Sequence, residues 1–428
     1  MRISPKKMAR LRREEVDTSD PITILVTGWK EPVSEPLLLE ALANHPACKE
    51  LWYVPLENEK NDKTLQRDFK RWRQRVKHQQ SHGNNYPLEL QGINATALLR
   101  REPRLDTPEA VQAALYERLA LPLESFKTHK AQLMLNGTNA FYMDHALERR
   151  HPSMHTVNEA ALSDYYDDKR RLPEIGALVA DATGVHVLPI CETVTRVDQV
   201  AAFMERYHLT QIALKAPYSV CGDGIYRVFK AQDGTLHYEN PSKNRIVDNK
   251  EPAGMYPLVQ LPFERGMLAM EWLEPAKGDV RVVMLHGHCI GAYRRVAQAD
   301  SWLCNVAQGG QVKPLDIDRQ LPVHVRRKMK AVAETLSHLG VPYVGADFLQ
   351  DRNGEWLLSE INMGCFDDLV ELHHHSHGRD AHYGRLSVAD RMAGEMIRQY
   401  RAEKSEQALV DCLIELYERG AMERGIFF

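Results

Sequence analysis

Two strand-like runs late in the chain, Val344-Gly-Ala-Asp-Phe-Leu-Gln350 and Glu355-Trp-Leu-Leu-Ser-Glu-Ile-Asn362, are separated by Asp351-Arg-Asn-Gly354. Asp, Asn and Gly turn a chain tightly, so the segment reads as a β-hairpin. A hairpin decides which side chains share a face, because their direction alternates with period two. With an even loop, Gln350 pairs with Glu355 and Asp347 with Leu358. Asp347, Leu358, Glu360 and Asn362 then point the same way. Two carboxylates and an amide oxygen on a rigid sheet make an incomplete oxygen cage. Such a set suits Mg²⁺, which completes its octahedron with phosphate oxygens and water. An odd loop turns Asp347 away from Glu360 and breaks the set. A surface hairpin with its acids in solvent is the plain alternative. Against it, an acid two residues before Asn at a strand end serves no structural need.

A second constellation lies upstream. Lys215 ends the run Gln211-Ile-Ala-Leu-Lys215 and is followed by Ala-Pro-Tyr-Ser-Val-Cys-Gly-Asp-Gly224. Gly222 and Gly224 permit backbone conformations in which several N–H groups converge on an anion, and a lysine on a firm strand can reach the same anion. The segment lacks the G-K-[ST] of a Walker A loop, and Arg227 stands where a G-x-G-x-x-G fingerprint needs its third glycine. Taken alone, an ordinary hairpin turn is the simpler reading. Next come Met267-Leu-Ala-Met-Glu-Trp-Leu-Glu274, then Asp279-Val-Arg281 opening a two-stranded unit through His286-Gly-His288 to Tyr293-Arg-Arg295. Paired arginines near acids usually form surface ion pairs. Beside a candidate phosphate loop and a metal hairpin they also suit a phosphate clamp. Asn305 and Gly309-Gly310 follow as a polar, unobstructed loop.

With 428 residues the chain exceeds what one core organises, so two or three domains are expected. The run Ile22-Thr-Ile-Leu-Val-Thr27, stopped by Gly28, a helix through Leu37–Leu42 after Ser34, and the strand Leu51–Val54 suggest a small parallel sheet. Residues 56–165 are polar and helical in pattern. Their basic stretch Arg67–Arg75 reads as a solvated helix face. From Tyr165 strands and helices alternate to Glu360, with helices at 197–207 and 322–339 and strands around 267–273 and 280–295. Helical patterns at 386–401 and 405–419 close the chain. A net charge of −3 leaves no footprint for nucleic acid, and no apolar run reaches the roughly 18 residues of a membrane span. The basic segment Met1–Arg13 has no apolar stretch behind it, so it is not a secretory signal. Seven scattered cysteines, never spaced C-x-x-C, fit neither a disulfide framework nor a zinc knuckle, and a cytoplasmic setting is expected. Neighbouring side chains within His373-His-His-Ser-His377 point in different directions on a helix, so an acceptor-site or surface role fits them better than a metal site.

In order and approximate spacing, residues 165–370 resemble the ATP-grasp superfamily, especially bacterial glutathione synthetase and the ligases that add glutamate to ribosomal protein tails. The resemblance implies an α/β, more narrowly α+β, architecture: an N-terminal parallel α/β domain over 1–164, then two α+β subdomains over 165–265 and 266–428 that grip ATP between them. It implies Lys169 and Lys215 as the nucleotide lysines and Ser219 to Gly224, with Gly222, as a mobile loop over the phosphates. Glu271, Trp272 and Leu273 fall where backbone meets adenine, and Asp279 is similar to the acid near the ribose. Arg281 stands two residues after that acid, Arg295 falls on an arginine facing the transferred phosphate, and Asn305 with Gly309-Gly310 on the segment that follows it. Lys215, Arg281, Arg295 and Asn305 are thus the implied catalytic residues. Asp347, Glu360 and Asn362 fall on the Mg²⁺ ligands. Leu303 departs from the family, which generally carries arginine two residues before that asparagine. The implied activity is an ATP-dependent carboxylate–amine ligase that passes through an acyl phosphate and releases ADP and phosphate. It would act on small amino-acid or peptide-like substrates, with a homodimer common among relatives. An ATP-grasp kinase acting on a hydroxyl is the alternative, and a nucleotide-binding regulatory protein ranks below both.

Overall fold

The computed structural model describes residues 22–29, 41–42, 45–56, 88–90, 133–137, 155–217, 224–240, 245–248, 266–298, 301–306, 309–363, 393–394, 396–398 and 400–402. They group into two compact units, one drawn from 1–136, 146–157 and 385–428, the other from 137–145 and 158–384. The first holds a five-stranded sheet of β1 (Ile22–Trp29), β2 (Cys48–Leu56), β3 (Leu88–Leu90), β4 (Leu133–Gly137) and β5 (His155–Val157), in the order β3-β2-β1-β4-β5. β1 runs parallel to β2, β2 to β3, and β4 to β5, and Ile22, Ile24, Val26 and Leu51 are fully buried. Gly28 does not stop β1, which pairs with β2 as far as Trp29. The basic stretch 67–75, the patterns at 405–419 and the histidine cluster lie outside the described residues.

The second unit carries two antiparallel sheets. The central one, in the order β10-β9-β8-β7-β11-β6, comprises β6 (Cys191–Val194), β7 (Gln211–Lys215), β8 (Ile225–Lys230), β9 (Leu236–Asn240), β10 (Arg245–Asp248) and β11 (Met267–Glu271). The C-terminal one, in the order β14-β13-β12-β15-β16, comprises β12 (Asp279–Leu285), β13 (His288–Val296), β14 (Gln311–Pro314), β15 (Tyr343–Gln350) and β16 (Trp356–Met363). Five helices accompany them among the described residues: α1 (Ala160–Tyr166), α2 (Leu172–Thr183), α3 (Val197–Arg206), α4 (Ile317–Gln320) and α5 (Val323–His338). The longest, α5, starts after Pro322 and ends before Gly340, where φ is +82°, as its sequence signals require. Among the described residues no helix is long and apolar enough to cross a membrane.

Period-two alternation sorts each strand between a core and a working face. In the C-terminal sheet Val280, Val282, Met284, Ala346, Phe348, Leu358, Ile361 and Met363 join one core with Leu172, Ile175 and Val179 of α2 and Val325, Met329, Val332 and Leu336 of α5. The intervening positions, Asp279, Arg281, Arg295, Asp347 and Glu360, form the opposite, charged face. In the central sheet Ile212 and Leu214 pack with Val200, Phe203 and Met204 of α3. Ala213 and Lys215 therefore face the other way. β11 contributes to both cores, with Met267 and Ala269 in one and Leu268 and Met270 in the other.

Two one-residue bulges set the registers that matter. In the hairpin β15–β16, Gln350 pairs with Trp356, so residues 351–355 form a loop of odd length. The expected partners Glu355 and Leu358 are thus corrected. Leu358 stands opposite Phe348 in the core, and Asp347 stands opposite Glu360. An odd loop alone turns Asp347 and Glu360 apart, but Ser359 is an extra residue on β16 and flips the remainder of the strand back. Between β12 and β13 the turn at His286 and Gly287, both at positive φ, pairs Leu285 with His288. Ile290 then shifts the register, bringing Arg295 opposite Asp279 and Arg294 opposite Val280.

Gly278 leads the chain into Asp279 at φ 81°, ψ 167°, a region that side-chain-bearing residues avoid, and a Cβ there would run into the carbonyl oxygen of Arg295. Gly354, also at positive φ (85°), has open space around it. Calorimetry is expected to show Gly278→Ala losing more than the roughly 1–3 kcal/mol of backbone strain alone, while Gly354→Ala loses only that. Equal losses would mean that the approach of Arg295 is not close-packed.

Candidate active site

On the charged face Asp347 is the centre. Its carboxylate receives two hydrogen bonds from Arg281, from Nε and from Nη2 (2.9 Å), and lies 2.8 Å from Nη2 of Arg295. Arg295 in turn forks onto Asp279, with Nε to Oδ1 at 2.8 Å and Nη2 to Oδ2 at 2.6 Å. All four residues are buried. Burial alone would raise the Asp347 carboxyl, but the two guanidiniums hold it well below the usual carboxylate range. Burial raises the Asp279 carboxyl, and Arg295 opposes that shift. The Asn362 amide, oriented so that both its ends are satisfied, accepts from Arg281 Nη2 at 3.1 Å and donates to Glu360 Oε1 at 3.1 Å. Asp347, Glu360 and Asn362 thus share one face and one neighbourhood.

Two lysines approach Glu360 from separate elements. Lys169 sits in a 3-10 turn (Lys169–Arg171) ahead of α2, its N–H bonded to Pro217 O, and its Nζ lies 3.3 Å from Glu360 Oε1. Lys215, at the end of β7, lies 3.9 Å from Glu360 Oε2 and donates to Ser359 O (2.7 Å) and Ser359 Oγ (3.2 Å). Burial lowers the Lys215 ammonium, with Glu360 pulling the other way. The bulged serine therefore acts twice, turning Glu360 toward Asp347 and fastening Lys215 of the central sheet to β16.

A cavity opens between the two sheets. It is lined by Ala213, Lys215 and Ile225 on one side, by Asp279, Arg295, Asp347 and Glu360 on the other, and by Met270, Glu271, Trp272 and Leu273 at the end where β11 leaves its sheet. The N–H of Glu271 is held by Ile190 O (2.7 Å) and that of Glu274 by Gln350 O (2.7 Å), so the Trp272–Leu273 step between them is anchored at both ends. The remaining wall is Trp302, Leu303, Cys304 and Asn305. Trp302 meets Trp272 edge-on at 5.2 Å and donates from Nε1 to Glu239 (3.3 Å) on β9. Asn305 O accepts from Gly310 N (3.0 Å), and a Cβ on Gly310 would collide with the backbone of Cys304. Burial pushes the Cys304 thiol up to about 12 and the Cys191 thiol up to about 11, so neither supplies a thiolate.

The structure thus brings together Lys169, Lys215, Arg281, Arg295, Asp279, Asp347, Glu360 and Asn362, with Glu271, Trp272, Leu273 and Asn305 around the cavity. Gly224 closes the glycine segment by accepting from Ala216 N (2.8 Å), while Ser219 and Gly222 fall outside the described residues. Lys169 reaches Glu360 from a neighbouring cleft shared with Tyr166, Leu172 and Ile175 rather than from the main cavity. Sequence reasoning did not single out Ser359 or Trp302. No motif marks the serine, since its part follows from a register shift. Trp302 could have been suspected as a large aromatic three residues before the Asn305 of an otherwise polar loop.

The donor set fits a hard divalent cation. Two carboxylates and an amide oxygen converge, and among the described residues no group of three or more His, Cys, Asp and Glu offers a softer or fuller cage. The family model of the prokaryotic glutathione synthetase ATP-grasp domain matches residues 185–372. A glutathione synthetase of Thermosynechococcus vestitus is 32% identical over 113 residues, 25% of this chain and 32% of that protein. A tetrahydromethanopterin:alpha-L-glutamate ligase of Methanosarcina acetivorans is 29% identical over 172 residues, 39% of this chain and 47% of that protein. The chain therefore spans less than half the length of these relatives. Among solved structures, a biotin carboxylase from Campylobacter jejuni in complex with a nucleotide superposes with a TM-score of 0.53 at 12% identity, covering 88% of this chain and 71% of that one, a likeness of fold alone. Over residues 185–372 the chain carries an ATP-grasp domain of the prokaryotic glutathione synthetase kind.

Proposed function

We propose that this chain joins a small carboxylate to an amine, using ATP and Mg²⁺ and releasing ADP and phosphate. The observation that carries the reading is the convergence of three oxygen donors with Arg281, Arg295, Lys169 and Lys215 beside one cavity, inside the segment that matches the family model. A substrate carboxylate oxygen attacks the γ-phosphorus, the bond to the ADP oxygen breaks, and an acyl phosphate results. The amine nitrogen then attacks the acyl carbon, the C–O bond to phosphate breaks, and the amine loses a proton. Mg²⁺, held by Asp347, Glu360 and Asn362, would screen the phosphate oxygens. Lys215 and Arg295, already fixed by Ser359 and Asp279, present donors to charge that spreads over the transferred phosphoryl group. Lys169 adds a cation on the far side of Glu360. Trp272 and Leu273 offer the apolar end where a base can lie, and a cavity walled in this way would keep water from an acyl phosphate. The names of these relatives, glutathione synthetase and tetrahydromethanopterin:alpha-L-glutamate ligase, favour a synthetase or ligase reaction over a kinase reaction.

Purified protein mixed with Mg·ATP and a matrix of amino acids, dipeptides, dicarboxylates and polyamines is expected to release phosphate only when a carboxylate and an amine are both present. Product mass should equal their sum less water. A requirement for one alcohol, with no phosphate release, would move the assignment to a kinase. Lys215→Ala and Glu360→Ala are expected to lower turnover by about 100–1,000-fold, the range seen when a charge-stabilising group is lost, with the fold intact by circular dichroism. Near-normal product from either variant would remove that residue from the chemistry.

Asp347 also predicts how metal and nucleotide depend on each other. A cation alone must compete with two buried guanidiniums for the Asp347 carboxylate, a cost of several kcal/mol, whereas a nucleotide brings phosphates for them to grasp. Titration with Mn²⁺ is therefore expected to show at least about tenfold tighter binding in the presence of a non-hydrolysable ATP analogue. By linkage the metal should tighten the analogue by the same factor. Equal Mn²⁺ affinity with and without nucleotide would contradict the coupling.

A further inference from the structure

Asp279 is the first residue of β12, and its cross-strand partner is Arg295. Both are deeply buried, 6% and 5% exposed. The carboxylate takes one whole edge of the guanidinium, Nε and Nη2, in a two-bond fork at 2.8 and 2.6 Å. Nη2 is at the same time 2.8 Å from Asp347 Oδ2. Arg295 thus has two acidic partners of different kinds. Asp347 belongs to the oxygen set suited to a cation and is shared with Arg281. Asp279 serves Arg295 in a geometry that fixes the plane of the guanidinium as well as its position.

The local backbone is arranged around this pair. Gly278 allows the close approach to the Arg295 carbonyl, and the Ile290 bulge makes Arg295 rather than Arg294 the residue opposite Asp279. Arg294, one position away, instead lies over the Trp356 ring at 5.7 Å. If Asp279 were absent, Arg295 would keep Asp347 as its remaining acidic neighbour in this network and would rotate onto it. It would then compete with the cation for that carboxylate and no longer face the cavity. Asp279 lines the same cavity, so a direct contact with a nucleotide hydroxyl is the rival role.

We propose that Asp279 is a positioning residue: it holds the Arg295 guanidinium aimed into the cavity, and so leaves Asp347 free to turn to a divalent cation when nucleotide binds. The proposal rests on the ligase reading only for the cation and the phosphates, since both can be followed by binding alone.

The test compares Asp279→Asn with the unaltered protein by calorimetry, using Mn²⁺ and a non-hydrolysable ATP analogue as probes. Affinity for the analogue without metal is expected to fall no further than in Arg295→Met, since the turned guanidinium accounts for the whole loss. Affinity for Mn²⁺ in the presence of the analogue should fall by about 10–100-fold, the usual effect of removing a group that orients a metal ligand or its neighbour. Where turnover is measurable, kcat falls while KM for ATP holds. A metal-free loss of analogue affinity larger than that of Arg295→Met would overturn the proposal by placing Asp279 on the nucleotide itself, and so would unchanged Mn²⁺ binding. To separate misfolding from mispositioning, Arg295→Met is compared with the Asp279→Asn/Arg295→Met double variant, which buries no lone charge at this pair. Because Asp279 acts through Arg295, the double variant should bind Mn²⁺ and analogue no worse than Arg295→Met alone. A further loss in the double variant refutes the idea. If no carboxylate–amine pair is turned over by the unaltered protein, the ligase reading fails while these binding arms still decide the role of Asp279.

Discussion

Everything in the site depends on Asp347 being held, buried, between two guanidiniums. A buried charge is costly unless paired and hydrogen-bonded, and buried pairs add little net stability over apolar packing of the same volume. The alternation Arg281–Asp347–Arg295–Asp279 satisfies that demand with two acids and two bases, each pairing seen directly in the structure. What the arrangement provides is aim rather than stability. Including Glu360, Lys169 and Lys215, three carboxylates face four cations, a surplus of one positive charge at the end of the cavity nearest Glu360. An anion is the natural guest there. Burial also lowers the Lys215 ammonium, so an incoming phosphate would restore what desolvation takes from it.

Much of this was legible from residue patterns, and the misreadings within the C-terminal sheet share one cause. Strand type, the long helix from Val323 to His338 and the grouping of Asp347, Glu360 and Asn362 follow from periodicity, Pro and Gly punctuation and the chemistry of oxygen donors. The hairpin register was misjudged, because counting loop residues assumes an unbroken ladder. The odd loop should have separated Asp347 from Glu360, and Ser359 reunites them. Ile290 works similarly, choosing Arg295 over its neighbour Arg294 to face Asp279. A bulge is one residue inserted into a strand, and it carries no composition that distinguishes it from the residues around it. Site placement in this sheet therefore hangs on two positions whose side chains, an isoleucine and a serine, announce nothing.

The same logic explains why the sheets can divide the work. Each working strand shows one face to a helix-backed core and one to the cavity, so a shift of one residue exchanges a leucine for a glutamate. Such registers are strongly specified because the wrong one buries charge in the core formed by Phe348, Leu358 and Ile361. The core thus acts as the gauge against which the charged face is set. β11 extends the gauge across the hinge, since its alternate residues are claimed by the two cores before the chain turns at Trp272 and Leu273.

Leu303 then acquires a physical meaning. It is 3% exposed and forms cavity wall at the position where the sequence resemblance implies an arginine. Among the described residues lining that cavity, positive charge comes from Lys215 and Arg295. Each is tethered by a residue of this chain, Lys215 by the carbonyl and hydroxyl of Ser359 and Arg295 by both oxygens of Asp279. A site with fewer cations must place each one better, because charge stabilisation in a dry cavity falls off with misplacement as well as with number. The forks that fix these two side chains are the structural counterpart of the missing third. Trp302, bridging to Glu239 and packed on Trp272, closes the wall beside Leu303 with apolar surface. Apolar surface at that wall holds water less firmly than a guanidinium would, and less water strengthens the charge interactions beside it.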